Sequence, residues 1–217
     1  MNSLDDLKSD RSDSSTGLIK ADITALVLAG GKASRFNGQD KGLIEFQGKP
    51  MISHVIDALK PQVNTLLISA NRNTEQYQQY GYPVVADTIN SIEYLQGPLA
   101  GILQGLKRAT THWVLLSPCD TPFIATDYCQ RMISAVKPEV EKLIVATCEN
   151  KLQPLFSLIP TSFVNQLAEA IDNERYKVGH WVTSMPHTKL EFPDIKMFIN
   201  INSTKELTQA AENFLSK

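Results

Sequence analysis

Between Gly30 and Lys41 the chain places two adjacent glycines, Gly30 and Gly31, a third at Gly38, and three cations, Lys32, Arg35 and Lys41. Glycines allow close backbone approach and positive φ, and backbone N–H groups in such a loop can face an anion. The cations add charge that a plain tight turn does not need, so the pattern points to phosphate. Two aspartates stand in similar settings. Asp87 follows the short apolar run Pro83–Ala86, and Asp120 lies within P-C-D-T-P, where flanking prolines restrict the backbone. A carboxylate fixed at a strand end can ligate Mg²⁺, which prefers one or two carboxylates plus phosphate oxygens and waters. A turn or N-cap role would explain an isolated aspartate equally well.

The loop matches neither standard phosphate fingerprint. G-x-x-x-x-G-K-[ST] is absent, and so is G-x-G-x-x-G. Its form is G-G-x-x-x-R with a lysine six residues after the arginine.

These residues must be positioned by an α/β framework. Ile23 to Leu28 reads as a buried strand running into the glycine loop. Thr65–Ser69, Pro83–Ala86, Trp113–Ser117, Leu143–Thr147 and Leu155–Ile159 read as further strands, as do Lys189–Phe192 and Phe198–Ile201. Helices are expected from Pro50 to Pro61, across Asn71–Tyr80, from Pro98 through Leu106, over Thr126–Val136, and around Phe163, Leu167 and Ile171. Val178 to Met185 fits a short helix. Ser203-Thr204-Lys205-Glu206 is a capping box opening a terminal helix to about Leu215. Alternating strands and helices imply a three-layer α/β fold with a mostly parallel sheet. Ligands in such sheets bind at the carboxyl ends of strands, where the glycine loop, Asp87 and Asp120 all fall.

The bulk properties bound the function. The 217 residues carry 42% hydrophobic and 20% charged residues, as a globular body requires. A net charge of -2 argues against a general nucleic-acid binder. The three cysteines form no C-x-x-C pair, so a reduced, cytoplasmic setting is expected. The four histidines form no zinc pattern, and no apolar run reaches membrane-span length. Residues 1–20 lack apolar periodicity and are expected to be a disordered tail, leaving 21–217 as a single domain. Cys119 has no histidine base placed beside it and reads as a small buried residue, and His54 as packing or surface.

L-A-G-G-K-A-S-R-F-N-G-Q-D-K-G-L, G-P-L-A-G, P-C-D-T-P and N-I-N-S-T-K-E-L together resemble the molybdenum cofactor guanylyltransferases, the MobA family, over about Ile23 to Leu215. The L-A-G-G-x-x-x-R start alone resembles a wider nucleotidyltransferase superfamily. The resemblance implies a Rossmann-like three-layer nucleotidyltransferase fold. It also implies transfer of GMP from GTP to molybdopterin-bound molybdenum cofactor, with pyrophosphate released and Mg²⁺ as cofactor. On that reading Leu28, Ala29, Gly30 and Gly31 bind the nucleotide, mainly through backbone. Lys41 binds phosphates, Asp87 helps hold the nucleoside, and Asp120 binds both GTP and Mg²⁺; Arg35, Lys41 and Asp120 form the catalytic set. Gly97 and Gly101 leave room for the nucleotide, and Asn200-Ile201-Asn202 belongs to the pterin or metal side. Ser69 and Gln153-Pro154 depart from an asparagine and a histidine-proline pair common in the family. Molybdenum-insertion proteins and apo-molybdoenzymes are the implied protein partners, and a monomer is expected. The alternatives are a related cytidylyl- or sugar-phosphate nucleotidyltransferase, or a non-catalytic nucleotide- or cofactor-binding carrier.

Overall fold

The computed structural model describes residues 22–29, 39–86, 97–137, 139–203, 206 and 208–210. Gly30, Gly31, Lys32, Arg35, Gly38 and Asp87, the expected tail, and the terminal helix beyond residue 210 lie outside the described residues.

The sheet grows from β1 (Ile23–Leu28), whose six residues are all buried. Ile23, Ala25 and Val27 enter one core cluster and Leu26 and Leu28 another. A strand covered on both faces has no polar face, which is why its sequence shows no alternation. The other strands are β2 (Glu45–Phe46), β3 (Lys49–Pro50), β4 (Thr65–Ser69), β5 (Val84–Val85), β6 (Trp113–Pro118), β7 (Leu143–Cys148), β8 (Lys151–Pro160) and β9 (His187–Glu191). Among the described residues, seven of them form one sheet in the order β5-β4-β1-β6-β8-β7-β9, while β2 and β3 pair separately. All neighbours in the large sheet are parallel except the two pairs made by β8, which runs against β6 and β7.

The chain moves outward from β1 to β4 and β5, then returns to place β6 on the other side of β1. That reversal opens a crevice between the carboxyl ends of β1 and β6, the usual ligand position in an open α/β sheet. One face is covered by α1 (Met51–Leu59), which buries Ile52, Val55, Ile56 and Leu59, and by α4 (Tyr128–Ser134). The other is covered by α3 (Pro98–Arg108), α5 (Val164–Asp172) and α6 (Val178–Ser184). α2 (Thr74–Gln78) lies between β4 and β5 and buries Tyr77.

The departures from sequence expectation have local causes. The polar helix expected over Asn71–Tyr80 is confined to α2, because Asn73 sits at φ 51, outside helical backbone. Pro50 caps α1 rather than opening it. β8 starts at Lys151 because it forms a hairpin with β7 through Glu149 and Asn150, both at positive φ (50 and 61). Its register shifts at Val145/Ala146, and this irregularity accommodates Pro154, which has no ladder donor. The strand expected over Phe198–Ile201 does not form. A 3-10 turn occupies Ile195–Phe198 instead, and side-chain anchors hold the rest: Phe198 packs edge-on to Phe156 and Phe192, and Ile201 is fully buried beside Phe46 and Met51.

Gly105 on α3 rests against the middle of β1. A Cβ there would sit 2.2 Å from Leu26 Cδ2 and 3.0 Å from Cδ1, with Leu26 itself fully buried. Gly105→Ala therefore overpacks the junction of helix and sheet and is expected to cost about 1–3 kcal/mol despite better helix propensity. Urea denaturation checks this; an unchanged or raised midpoint would show that α3 stands off the sheet.

Candidate active site

Past the ends of the strands the backbone keeps pairing. Ala29 N–H donates to Ser69 O at 2.8 Å, and Cys119 N–H donates to Leu28 O at 3.1 Å. These bonds hold the exits of β1, β4 and β6 together and fix where Leu28, Ala29 and Asp120 lie. On the α3 side, a Cβ on Gly101 would come within 2.3 Å of Ser69 Oγ, so glycine is what lets the helix approach this serine.

Lys41 opens a 3-10 turn, Lys41–Leu43, whose N-cap is Asp40. Its ammonium donates to Asp120 Oδ2 at 3.3 Å and to Asn202 Oδ1 at 2.5 Å. Both charged side chains are largely buried, with 26% of Lys41 and 14% of Asp120 exposed. The N-I-N segment is brought here by its backbone as well as by its buried isoleucine: Ile201 N–H donates to Asp120 O at 2.9 Å. Asn202 N–H then donates to Glu206 Oε2 at 2.6 Å, while Glu206 N–H donates to Ser203 Oγ at 3.2 Å. The capping box thus fixes Asn202 as well as starting a helix.

Burial pushes the Asp120 carboxyl above its ordinary range, and Lys41 offsets only part of that effect. Burial also pushes the neighbouring Cys119 thiol well up, so it remains a neutral thiol rather than a nucleophile. Cys119, Cys129 and Cys148 are all buried and form no disulfide. His54 is a packing residue: its Nε2 lies 2.7 Å from Phe46 O and its ring lies 5.3 Å from that of Phe46, tilted by 60°.

Of the residues singled out in the sequence, Lys41, Asp120 and Asn202 meet directly, and Leu28 and Ala29 form the adjoining strand exit. Gly97 reaches the same side of the sheet as the N-cap of α3. The sequence did not mark Asp40 and Tyr77, which pack beneath the Lys41 turn, and it read Glu206 only as a capping residue. Their partners lie 37 and 4 residues away, and only the first separation is beyond any local pattern.

Among the described residues no group of three or more His, Cys, Asp or Glu side chains could hold a metal by itself. One desolvated carboxylate facing a cation still suits an ion that takes most of its ligands from phosphate and water. The arrangement sets a lysine ammonium and a desolvated carboxylate side by side at the strand exits.

A parallel sheet with a reversed strand, a site at its switch point, and a lysine–aspartate pair in that site define a nucleotidyltransferase-like protein. The family model described as "MobA-like NTP transferase domain" matches residues 25–187. The chain belongs to the MobA-like NTP transferase family. It is 41% identical over 190 residues to the molybdenum cofactor guanylyltransferase of Vibrio cholerae, covering 87% of this chain and 91% of that protein. With the protein of the same name from Cupriavidus pinatubonensis it shares 38% over 195 residues, covering 88% and 96%. Among solved structures it resembles molybdopterin-guanine dinucleotide biosynthesis protein A from Archaeoglobus fulgidus, with a TM-score of 0.74 at 18% identity, covering 89% and 100%. The 4-diphosphocytidyl-2C-methyl-D-erythritol synthase of Anaerococcus prevotii superposes with a TM-score of 0.67 at 11% identity, covering 91% and 97%; at such identity the likeness extends to the fold alone.

Because burial raises the pKa of Asp120, its ionisation opposes folding. The neutral acid costs nothing at low pH, and stability is lost as pH rises through the raised folded value. Asp120→Asn combined with Lys41→Met removes that cost without leaving either charge unpaired. Its melting temperature without ligand is expected to exceed the parent's at pH 8, with the gap closing as pH falls. A variant less stable than the parent at pH 8 would show instead that the Lys41 pair outweighs desolvation.

Proposed function

We propose that this chain transfers the guanylyl group of GTP to the terminal phosphate of molybdopterin-bound molybdenum cofactor and releases pyrophosphate. The observation that carries the chemistry is the Lys41–Asp120–Asn202 cluster at the carboxyl ends of β1 and β6. The choice of base and acceptor is supported by relatives 38–41% identical over most of the chain.

Without ligand, Lys41 and Asp120 compensate each other's charge in a desolvated site. Nucleotide binding redistributes these partners. Lys41 turns to the phosphate oxygens, and the freed Asp120 carboxylate would hold a divalent cation, which we take to be Mg²⁺. When bound, that cation supplies charge neutralisation across the phosphates. Asn202 stays as the polar neighbour that keeps the lysine extended. The backbone of Leu28, Ala29, Gly30 and Gly31 lines the nucleotide, Arg35 adds positive charge, and Asp87 contacts the nucleoside. An oxygen of the acceptor phosphate then attacks the α-phosphorus. The bond from that phosphorus to the bridging oxygen breaks, and the electron pair leaves with pyrophosphate. The nucleophile is already an anion, so neither a covalent enzyme intermediate nor a general base is needed. Positioning and electrostatic stabilisation provide the catalysis.

We take residues 21–217 to act as one domain and the protein to work as a monomer in the cytoplasm, a setting that suits three thiols outside any disulfide. No helix among the described residues is long and apolar enough to cross a membrane. Molybdenum-insertion proteins and apo-molybdoenzymes would receive the product.

Pyrophosphate release with molybdenum cofactor, Mg²⁺ and either GTP or CTP tests the reading. GTP should be used; preference for CTP would make the chain a cytidylyltransferase, and no release with either would make it a carrier. Lys41→Met should lower kcat about 10²- to 10³-fold, as for loss of one preorganised electrostatic group.

A further inference from the structure

Asp40, immediately before the site lysine, makes more bonds than an N-cap needs. A cap aspartate satisfies one or two amides of its own turn. The Asp40 carboxylate accepts one such bond, from Gly42 N–H at 3.3 Å. It accepts two more from distant chain. The Tyr77 hydroxyl donates to Oδ1 at 2.5 Å, and Asn73 Nδ2 donates to Oδ2 at 3.1 Å. Both carboxylate oxygens are thus engaged.

The donors are themselves fixed. Tyr77 is fully buried on α2, and Asn73 is held in left-handed backbone at the start of that helix. Burial, with the neighbouring Cys119 and Asp40, pushes the Tyr77 pKa far up, so the phenol stays protonated and can only donate to the carboxylate. The turn is pressed from the other side too. A Cβ on Gly42 would stand 2.6 Å from the Tyr77 hydroxyl and 3.2 Å from Cys119 Sγ, and Cys119 directly precedes Asp120. The Lys41 backbone is therefore registered against the strand exit that carries its own ion-pair partner.

We infer that Asp40 is a positioning residue, which with Tyr77 and Asn73 clamps the Lys41 turn so that the ammonium is held out over the carboxyl ends of β1 and β6. Lys41 has a flexible four-carbon stem, and a compact ammonium reaches a phosphate only if its anchor is fixed. The clamp fixes the anchor, and Asp120 and Asn202 fix the tip. The link to GTP rests on the guanylyl-transfer reading above; the link to Lys41 does not.

A double-mutant cycle tests it, made of Asp40→Ala, Lys41→Met and the pair, with Tyr77→Phe and Asp40→Asn beside them. Two readouts are taken: kcat and KM with GTP, and the Kd for inorganic pyrophosphate with Mg²⁺ by calorimetry. In the parent background Asp40→Ala should lower kcat about 10- to 100-fold, as expected for a misplaced group. In the Lys41→Met background it should change neither readout by more than about twofold, because coupled residues are non-additive. Asp40→Asn should recover most of the loss, since an amide oxygen still accepts from Tyr77 and Gly42. If Asp40→Ala does not fold, Tyr77→Phe serves in the same cycle with the same direction.

Equal losses in both backgrounds would overturn the proposal, as would unchanged kcat and pyrophosphate affinity in folded Asp40→Ala. If pyrophosphate binding shows the coupling while GTP is not turned over, the clamp stands and the reaction assigned above fails. If GTP is turned over and the coupling is absent, the clamp fails alone.

Discussion

The site depends on one ammonium group. Lys41 Nζ joins three pieces of chain that the sequence keeps far apart, its own turn, the exit of β6 at Asp120 and the N-I-N segment at Asn202, separated by 79 and 161 residues. Each partner is wrong for its surroundings without the others. A lysine and an aspartate this desolvated need mutual compensation, and a lone buried amide oxygen needs a donor. The parallel register of β1 with β6 is what makes the meeting possible. It sets Leu28 beside Pro118, so the two exits open side by side and Cys119 can pair back to Leu28.

Reading outward from the lysine explains features that look unrelated. Ile201 is buried with Phe46 and Met51 because the N-I-N segment must be docked before Asn202 can reach inward. Glu206 reaches Asn202 N–H and so shapes that segment from the helix that follows it. Gly42 lacks a side chain where Tyr77 and Cys119 leave no room for one. These are packing constraints, and they serve one polar contact.

Much of this was legible in the sequence, and for a physical reason. β1, β4, β6 and β7 are covered on both faces, so each reads as an uninterrupted apolar run. α1 and α3 carry apolar residues at helical spacing, with Pro50 and Pro98 marking their starts. The strand-end rule then placed Lys41 and Asp120 on the same side before any contact was known. What stayed hidden was non-local. Nothing near Tyr77 in the chain shows that its hydroxyl meets Asp40. The apolar run Phe198–Ile201 looks like a strand, yet its backbone bonds go to Lys196 and Asp120 rather than to a neighbouring strand. Phe198 and Ile201 are apolar because they are anchors, while Ile199 points outward and is 40% exposed.

Fold and chemistry divide the work between them. The synthase of Anaerococcus prevotii shares the fold at 11% identity, and a shared fold does not by itself fix the substrate. Selection has to come from side chains facing the crevice. Ser69 lies buried at the exit of β4. Its carbonyl is bound by Ala29 N–H, and its hydroxyl is crowded by the backbone of α3 at Gly101. A longer side chain here would have to displace the helix start or extend into the crevice. The serine is small enough to let α3 close on the exit of β4. The raised pKa of Asp120 points the same way about cost. A desolvated carboxylate opposes folding, and it is tolerated because β1 and β6 lie inside two cores that do not need it. The sheet supplies stability in excess so that its carboxyl ends can hold charge where water is scarce.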